Sequence, residues 1–471
     1  MTTPQPPPES RTIRRRRMGT TEIIVRELRP SRAIGSGSLR SLSGFAIALA
    51  VGTGLLMLPT AAAAGRTTTF IEALFTATSA LCVTGHVVFD TQAHFSGLGE
   101  VIILLLIQVG GLGYMLGTTV ILWAMGRQMG MRDRELLRLY YGAPSMTETL
   151  SFARTIALYT FAFEGVGALI LWGRFLADGR PVGEAAWWGV FHSVSAFNNA
   201  GFSVTGNDMV PYQTDYVALS TIAILVIFGG LGAIPVLTLM RHRSWRRLPL
   251  DNKLIFMTTS ALIVGGTLVF GALEWTNQAT IGAVDPGHRG FLAFFQAVMP
   301  RTAGFSAVPI DMLHDETKFF TIALMFIGGA AGSTAGGVKV GTFSLLLVAM
   351  LATFRGRDEA IVLRRQIPDR VIRQALVIAL GGIAVVFAFS MALTIASDGE
   401  TFIDVMFDTV SALGTVGLST GPTARGNTGV EVLTILAMLV GRFGPLVIVL
   451  EMNRQRRKST YRAPEDSIRL G

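Results

Sequence analysis

Four short stretches of small residues recur along the chain: LCVTGH (81–86), FNNAGFS (197–203), MPRTAGFS (299–306) and LGTVGLS (413–419). Aligned on Gly85, Gly201, Gly304 and Gly417, they stand 116, 103 and 113 residues apart. A Ser-Ala pair precedes three of them: Ser79-Ala80, Ser195-Ala196 and Ser411-Ala412. The variable side chains leave the backbone carbonyl as the common reactive group. Glycine accepts backbone angles that other residues avoid, and rings of backbone carbonyls can replace the hydration shell of a monovalent cation, as four TVGYG loops do in potassium channels. Thr415-Val416-Gly417 lies nearest that pattern. The other copies keep the glycine and vary before it, as backbone readout permits. The expected coordinating residues are Cys82, Val83, Thr84 and Gly85; Asn198, Asn199, Ala200 and Gly201; Arg301, Thr302, Ala303 and Gly304; and Gly414, Thr415, Val416 and Gly417. The competing reading is that small residues merely let helices approach closely. It suits one copy better than four.

A second series runs in step with the first: GGLG (110–113), GGLG (229–232), GGAAG (328–332) and GRFG (441–444). These begin 25, 28, 24 and 24 residues after the four loop glycines. The third is extended, and glycine costs about 1 kcal/mol per site in a helix interior relative to alanine. A broken helix is expected there, with a loop over 328–340 beneath the filter. The residues expected to block or open the path are Gly328, Gly329, Gly332, Ser333, Thr334, Gly336, Gly337 and Lys339, with Arg442 at the same register. The phosphate-cradling pattern G-x-x-x-x-G-K-[ST] is missing from this stretch. A kink packed against its neighbours is the competing reading.

These loops need a scaffold at membrane depth. Half of the 471 residues are hydrophobic and 15% are charged, against about a quarter charged in a soluble protein. Uncharged windows long enough to cross a bilayer occupy 41–65, 101–126, 216–240, 254–273 and 374–397. Shorter apolar runs of 10 to 13 residues at 70–81, 185–197, 290–299 and 402–413 suit re-entrant helices. Glu72, Glu184 and Asp404 open three of them, where a carboxylate favours a helix N-terminus. The order long, short, long gives four pore repeats: 41–126, 151–240, 254–352 and 371–452. The single Cys82 rules out an intrachain disulfide, and no Cys/His cluster has metal-ligand spacing.

Charge orients the arrangement. The stretches 1–40, 127–154, 241–253, 353–373 and 454–471 hold 31 of the 40 Lys and Arg residues. If each repeat crosses twice, all five lie on one side, as the positive-inside rule requires; if the short helices crossed too, the basic linkers would alternate. The expectation is therefore an all-α membrane protein of eight spanning helices and four re-entrant pore helices around a pseudo-fourfold pore. Residues 1–40 form a basic cytoplasmic tail, expected to be disordered, and 453–471 a cytoplasmic C-terminal tail. Parallel repeats differ from the inverted repeats of many carriers. Intramembrane charges are functional hypotheses by default. Arg442 could hold the loop shut or knit helices together, and Lys339 could tether the loop or reach the membrane boundary. Arg301, beside the third filter loop, needs a partner, with Asp408 and Glu164 as candidates.

The chain resembles the Trk/Ktr/HKT superfamily of potassium transporters, over about 41–471. The resemblance rests on CVTGHVVFDTQAHFS (82–96), IQVGGLGYM (107–115), FNNAGFS, PRTAGFS, IGGAAGSTAGGVKV (327–340) and GRFGPL (441–446), and is closer to the Ktr-type conducting subunit. It implies potassium uptake through the plasma (bacterial inner) membrane, with both termini cytoplasmic. It also implies a homodimer with one pore per protomer, a cytoplasmic ring of nucleotide-binding regulatory subunits and a gating loop at 328–340. The terminal carboxylate of Gly471 would lie near the dimer interface. His86 departs from the family pattern, where a smaller apolar residue is more usual. K+ is the transported ion implied, Na+ is left open, and no covalent or organic cofactor, nucleic acid or catalysis is expected. The alternatives are a sodium- or proton-coupled symporter on the same scaffold, a carrier rocking about a midplane site, and a non-transporting scaffold.

Overall fold

A computed structural model describes residues 36–124, 149–357 and 359–454, with side-chain surroundings over 43–113, 153–357 and 359–444. The basic tail 1–35, the basic stretch 127–148 and the C-terminal 455–471, including Gly471, lie outside the described residues.

The fold is helical because apolar runs dominate the sequence, and apart from a two-residue hairpin (Ile361–Val362 with Arg365–Gln366) the described elements are helices. The long ones are α1 (Ser36–Leu56), α3 (Gly97–Ala124), α4 (Thr149–Ala177), α8 (Leu250–Glu274), α12 (Asp369–Ala396) and α14 (Thr428–Arg454). The short apolar runs form α2 (Phe70–Cys82), α5 (Val182–Phe197), α9 (Pro286–Val298) and α13 (Phe402–Gly414). Thr69 starts α2 with a reciprocal capping box to Glu72, and Thr401 caps α13 through the Asp404 N–H. Such caps satisfy N–H groups that a helix start leaves unpaired.

Glycine interrupts the remaining spans. In α3 the backbone leaves helical geometry at Gly113 (φ 74°). The 216–240 window is two helices, α6 (Tyr216–Leu231) and α7 (Ala233–His242), bent by 92° at Gly232. Between α10 (Asp315–Phe326) and α11 (Val340–Phe354) the chain runs as an irregular loop, so the third glycine stretch breaks its helix as expected. GRFG does not: α14 continues through 441–444. Among the described residues, three helices are long and apolar enough to cross a membrane, or four counting the bent pair.

The short helices are joined in a closed cycle. α3 packs on α5, α6 on α9, α10 on α13, and α14 returns to pack on α2. Each of these short helices is thus packed by a helix that follows the previous short helix in the chain. The first glycine of three second-series motifs lies at a different contact, between a helix and the short apolar helix just before it in the chain. A Cβ on Gly110 would strike the Leu81 carbonyl, one on Gly229 the Phe197 carbonyl, and one on Gly441 the Leu413 carbonyl. All three carbonyls end a pore helix, four residues before a loop glycine. These glycines let the long helices approach the pore-helix ends without a side chain between them.

Gly441→Ala is expected to destabilise the protein by about 1–3 kcal/mol, the usual cost of overpacking. Gly444→Ala, whose Cβ would meet only Val440 Cγ1 at 3.8 Å, should cost nothing. Melting temperatures of the two variants in one detergent check this.

Candidate ion pathway

Each pore helix ends in a turn of one design. One residue of each turn is left-handed: Val83 (φ 57°), Asn199 (φ 58°), Thr302 (φ 70°) and Thr415 (φ 51°). Two residues later stand Gly85 (φ 85°), Gly201 (φ 70°), Gly304 (φ 75°) and Gly417 (φ 99°). Positive φ is unfavourable for β-branched residues, and three of the four leading residues are β-branched. What compensates them is hydrogen bonding. Thr84 N–H donates to Ser79 O at 2.8 Å, Ala200 N–H to Ser195 O at 2.7 Å and Val416 N–H to Ser411 O at 2.8 Å. The preceding N–H groups of Val83, Asn199 and Thr415 reach Ala80, Ala196 and Ala412. The Ser-Ala pairs are therefore the carbonyl acceptors that fold the loops back. In the third loop Met299 O takes this part, accepting from Ala303 N–H at 3.0 Å.

The four loops meet. A Cβ built on Gly85 would land on Ala200 O, one on Gly201 within 2.8 Å of Ala303 O, one on Gly304 on Val416 O, and one on Gly417 on Thr84 O. In every case a loop glycine faces the carbonyl that precedes the glycine of the next loop, and the fourth returns to the first. The contacts make a closed ring of backbone oxygens and glycine α-carbons. Buried hydroxyls of Thr78, Ser79, Thr84, Thr302 and Thr415 around it have no hydrogen-bond partner among the described groups. Buried polar atoms are normally paired, so this cluster fits a site that holds a hydrated or partly hydrated ion. Chemically, such a ring can accept a cation without a carboxylate.

The loop between α10 and α11 lies against the ring. A Cβ on Gly336 would strike Thr415 Oγ1 and come within 2.9 Å of Gly414 O. Its neck is closed by Gly328 N–H donating to Val338 O at 2.8 Å and Val340 N–H donating to Gly329 O at 3.0 Å. Its tip is tied to other parts of the chain. Ala330 N–H donates to Gly230 O at 2.9 Å, and Thr334 Oγ1 donates to Asn199 Oδ1 at 2.9 Å. Arg442 donates from Nη1 to Thr334 O at 2.8 Å and from Nη2 to Gly110 O at 2.6 Å. Helix breaks free carbonyls from their i+4 partners, so the Gly113 and Gly232 distortions supply acceptors where the loop and Arg442 need them. Lys339 Nζ donates to Ala335 O at 2.5 Å, bonding within the loop.

The expected partner of Arg301 is corrected. Its Nη2 donates to Gly328 O at 3.4 Å, and neither proposed carboxylate reaches it. Glu164 accepts from Asn198 Nδ2 at 2.8 Å and Gln108 Nε2 at 3.2 Å. Asp408 accepts from Ser419 Oγ, Thr420 N–H and Thr423. Both carboxylates brace the glycine loops through neutral groups, Glu164 at the second and Asp408 beyond the fourth. His86 is fully buried. Sequence reasoning did not find Gln108, the Asn199 amide or Asp208, whose polar side chains carry no spacing signal. Asp208, in the loop between the second filter turn and α6, accepts the Ser306 N–H and so ties the second loop to the third.

An apolar helical bundle built around converging carbonyl loops defines a membrane transport protein. A family profile, TrkH, described as a cation transport protein, matches residues 44–459. The chain belongs to this family. It is 34% identical over 429 residues to Ktr system potassium uptake protein B of Bacillus subtilis (strain 168), covering 91% of this chain and 95% of that one. It is 31% identical to the potassium/sodium uptake protein NtpJ of Enterococcus hirae, over 91% of this chain and 96% of that protein. Its fold matches the crystal structure of the potassium transporter TrkH from Vibrio parahaemolyticus with a TM-score of 0.66 and 18% identity, over 92% of this chain and 88% of that one.

Asp208 lies outside the membrane-spanning helices, and burial pushes its carboxyl from 3.8 up to about 8, against the opposing pull of the Ser306 and Met209 N–H groups. An acid raised in this way holds its proton more tightly in the folded chain. Its stabilising contribution is full below the ordinary carboxylate range and is lost as pH rises through about 8. Between about pH 5 and pH 9, wild-type melting temperature should therefore fall relative to Asp208→Asn. Parallel melting curves across that range would contradict this.

Proposed function

We propose that this chain is the ion-conducting subunit of a potassium uptake system. Potassium crosses through the ring formed by residues 82–85, 198–201, 301–304 and 414–417, shedding water onto backbone carbonyls. The observation that carries the reading is the closed cycle in which each loop glycine faces the next loop's pre-glycine carbonyl. The potassium uptake relatives over nine-tenths of the chain support it. The pore comprises four repeats, 41–126, 151–240, 254–352 and 371–452, with eight crossings and four re-entrant helices; the basic linkers and both termini face the cytoplasm of the plasma membrane. The gate is the 328–340 loop, with Gly328, Gly329, Gly332, Ser333, Thr334, Gly336, Gly337, Lys339 and Arg442 as its working residues. The protein works as a homodimer over a cytoplasmic ring of nucleotide-binding subunits, among bilayer lipids. A symporter coupled to sodium or protons is the second reading, favoured by the name of the Enterococcus relative, a potassium/sodium uptake protein.

Serine at Gly304 or Gly417 would place a side chain on a carbonyl of the ring at positive φ. Each change should reduce discrimination of rubidium over sodium in proteoliposome flux by about tenfold, equivalent to about 1.4 kcal/mol. Unchanged selectivity in both variants would exclude coordination by these carbonyls. For the gate, deletion within 330–337 should raise flux in the absence of the cytoplasmic partner. Lost or unchanged flux in well-folded protein would rule the loop out.

A further inference from the structure

Arg301 belongs to the third filter loop, yet its side chain points at a different element. It is 7% exposed, and Nη2 donates to Gly328 O at 3.4 Å while Nη1 has no partner among the described groups. Among the described residues no carboxylate forms an ion pair with it. Gly328 follows the end of α10, where unpaired carbonyls carry partial negative charge. The guanidinium's acceptor is thus the carbonyl at the neck of the loop. Leaving a buried charge without its acceptor is costly. Arg442 holds the tip of the same loop through Thr334 O. The two arginines differ in one respect: only Arg301 contributes its own backbone to the ring.

We propose that Arg301 is a positioning residue that couples the filter to the gate. When the neck moves, Gly328 O leaves the guanidinium, which must then seek acceptors nearby, and the carbonyls of its own filter loop are bound to the same residue. Opening therefore disturbs the third quarter of the ring, and an ion seated in the ring stiffens the neck. This rests on the filter-and-gate reading above and adds a specific link between its two halves.

The test is a double-mutant cycle on potassium flux in proteoliposomes without regulatory subunits. Arg442→Gln, which frees the tip, should shift the half-saturating potassium concentration by about threefold or more in the wild-type background, the scale of coupling between groups in one network. In an Arg301→Gln background the shift should vanish, while Arg301→Lys restores part of it. Equal shifts in all backgrounds, or no shift in wild type, would overturn the coupling. If Arg301→Gln does not fold, a spin label at Ala331→Cys, an exposed loop position with the native Cys82 fully buried, reports on the otherwise unaltered chain. Its mobility should change when potassium replaces sodium; an unchanged spectrum would overturn the proposal. Wild type lacking any selective potassium flux would instead defeat the filter reading, and this proposal with it.

Discussion

Four backbone loops can occupy one small space only if nothing projects from them, and that steric condition governs the rest of the molecule. At Gly85, Gly201, Gly304 and Gly417 the next loop's carbonyl fills the volume a Cβ would take. The left-handed turns at Val83, Thr302 and Thr415 are conformations that β-branched residues avoid. They persist because the carbonyls of Ser79, Ser411 and Met299 and their neighbours bind the loop N–H groups. The helix-to-helix cycle that closes from α14 back onto α2 clamps the pore helices at the required approach. Three further glycines, at 110, 229 and 441, extend the same device one layer outward.

The loop between α10 and α11 is held by bonds from three other parts of the chain, around 199–230, at Arg301 and at Arg442. Its acceptors and donors are Gly230 O, Asn199 Oδ1, the Arg442 guanidinium and, through Arg301, the third filter loop. These are polar contacts among buried and half-buried residues, where an unsatisfied group is expensive. The loop is consequently well held in this arrangement, yet the bonds from Asn199, Arg442 and Arg301 are each removable by one side-chain substitution. That combination suits a barrier that must both persist and yield. Arg442 spans two repeats by itself, bonding Gly110 O in the first and Thr334 O in the third.

Much of this was legible in the sequence because glycine spacing and apolar run length are geometric signals. The run 70–81 became Phe70–Cys82 and the run 402–413 became Phe402–Gly414. At α9 the apolar run began late, since Pro286 to Arg289 are helical without being apolar. The Ser-Ala pairs were visible as a repeat, but their use lies in carbonyls that every residue carries. The bend of 92° at Gly232 was hidden because GGLG reads identically at 110–113, where the backbone also breaks, at Gly113. The residue that follows differs: Pro235 lies in the first turn of α7, and proline suits a new helix start. The partner of Arg301 could not be read from charges, because its acceptor is a neutral backbone carbonyl, Gly328 O, and not a carboxylate.

The central claim is that backbone oxygens of the four loops bind the permeant ion. Anomalous diffraction from crystals soaked in rubidium tests it without relying on flux. The prediction is a rubidium peak within the ring bounded by Thr84, Ala200, Ala303 and Val416 carbonyls, lost when sodium replaces rubidium. A ring without anomalous density, with the ion held elsewhere by side chains, would contradict it.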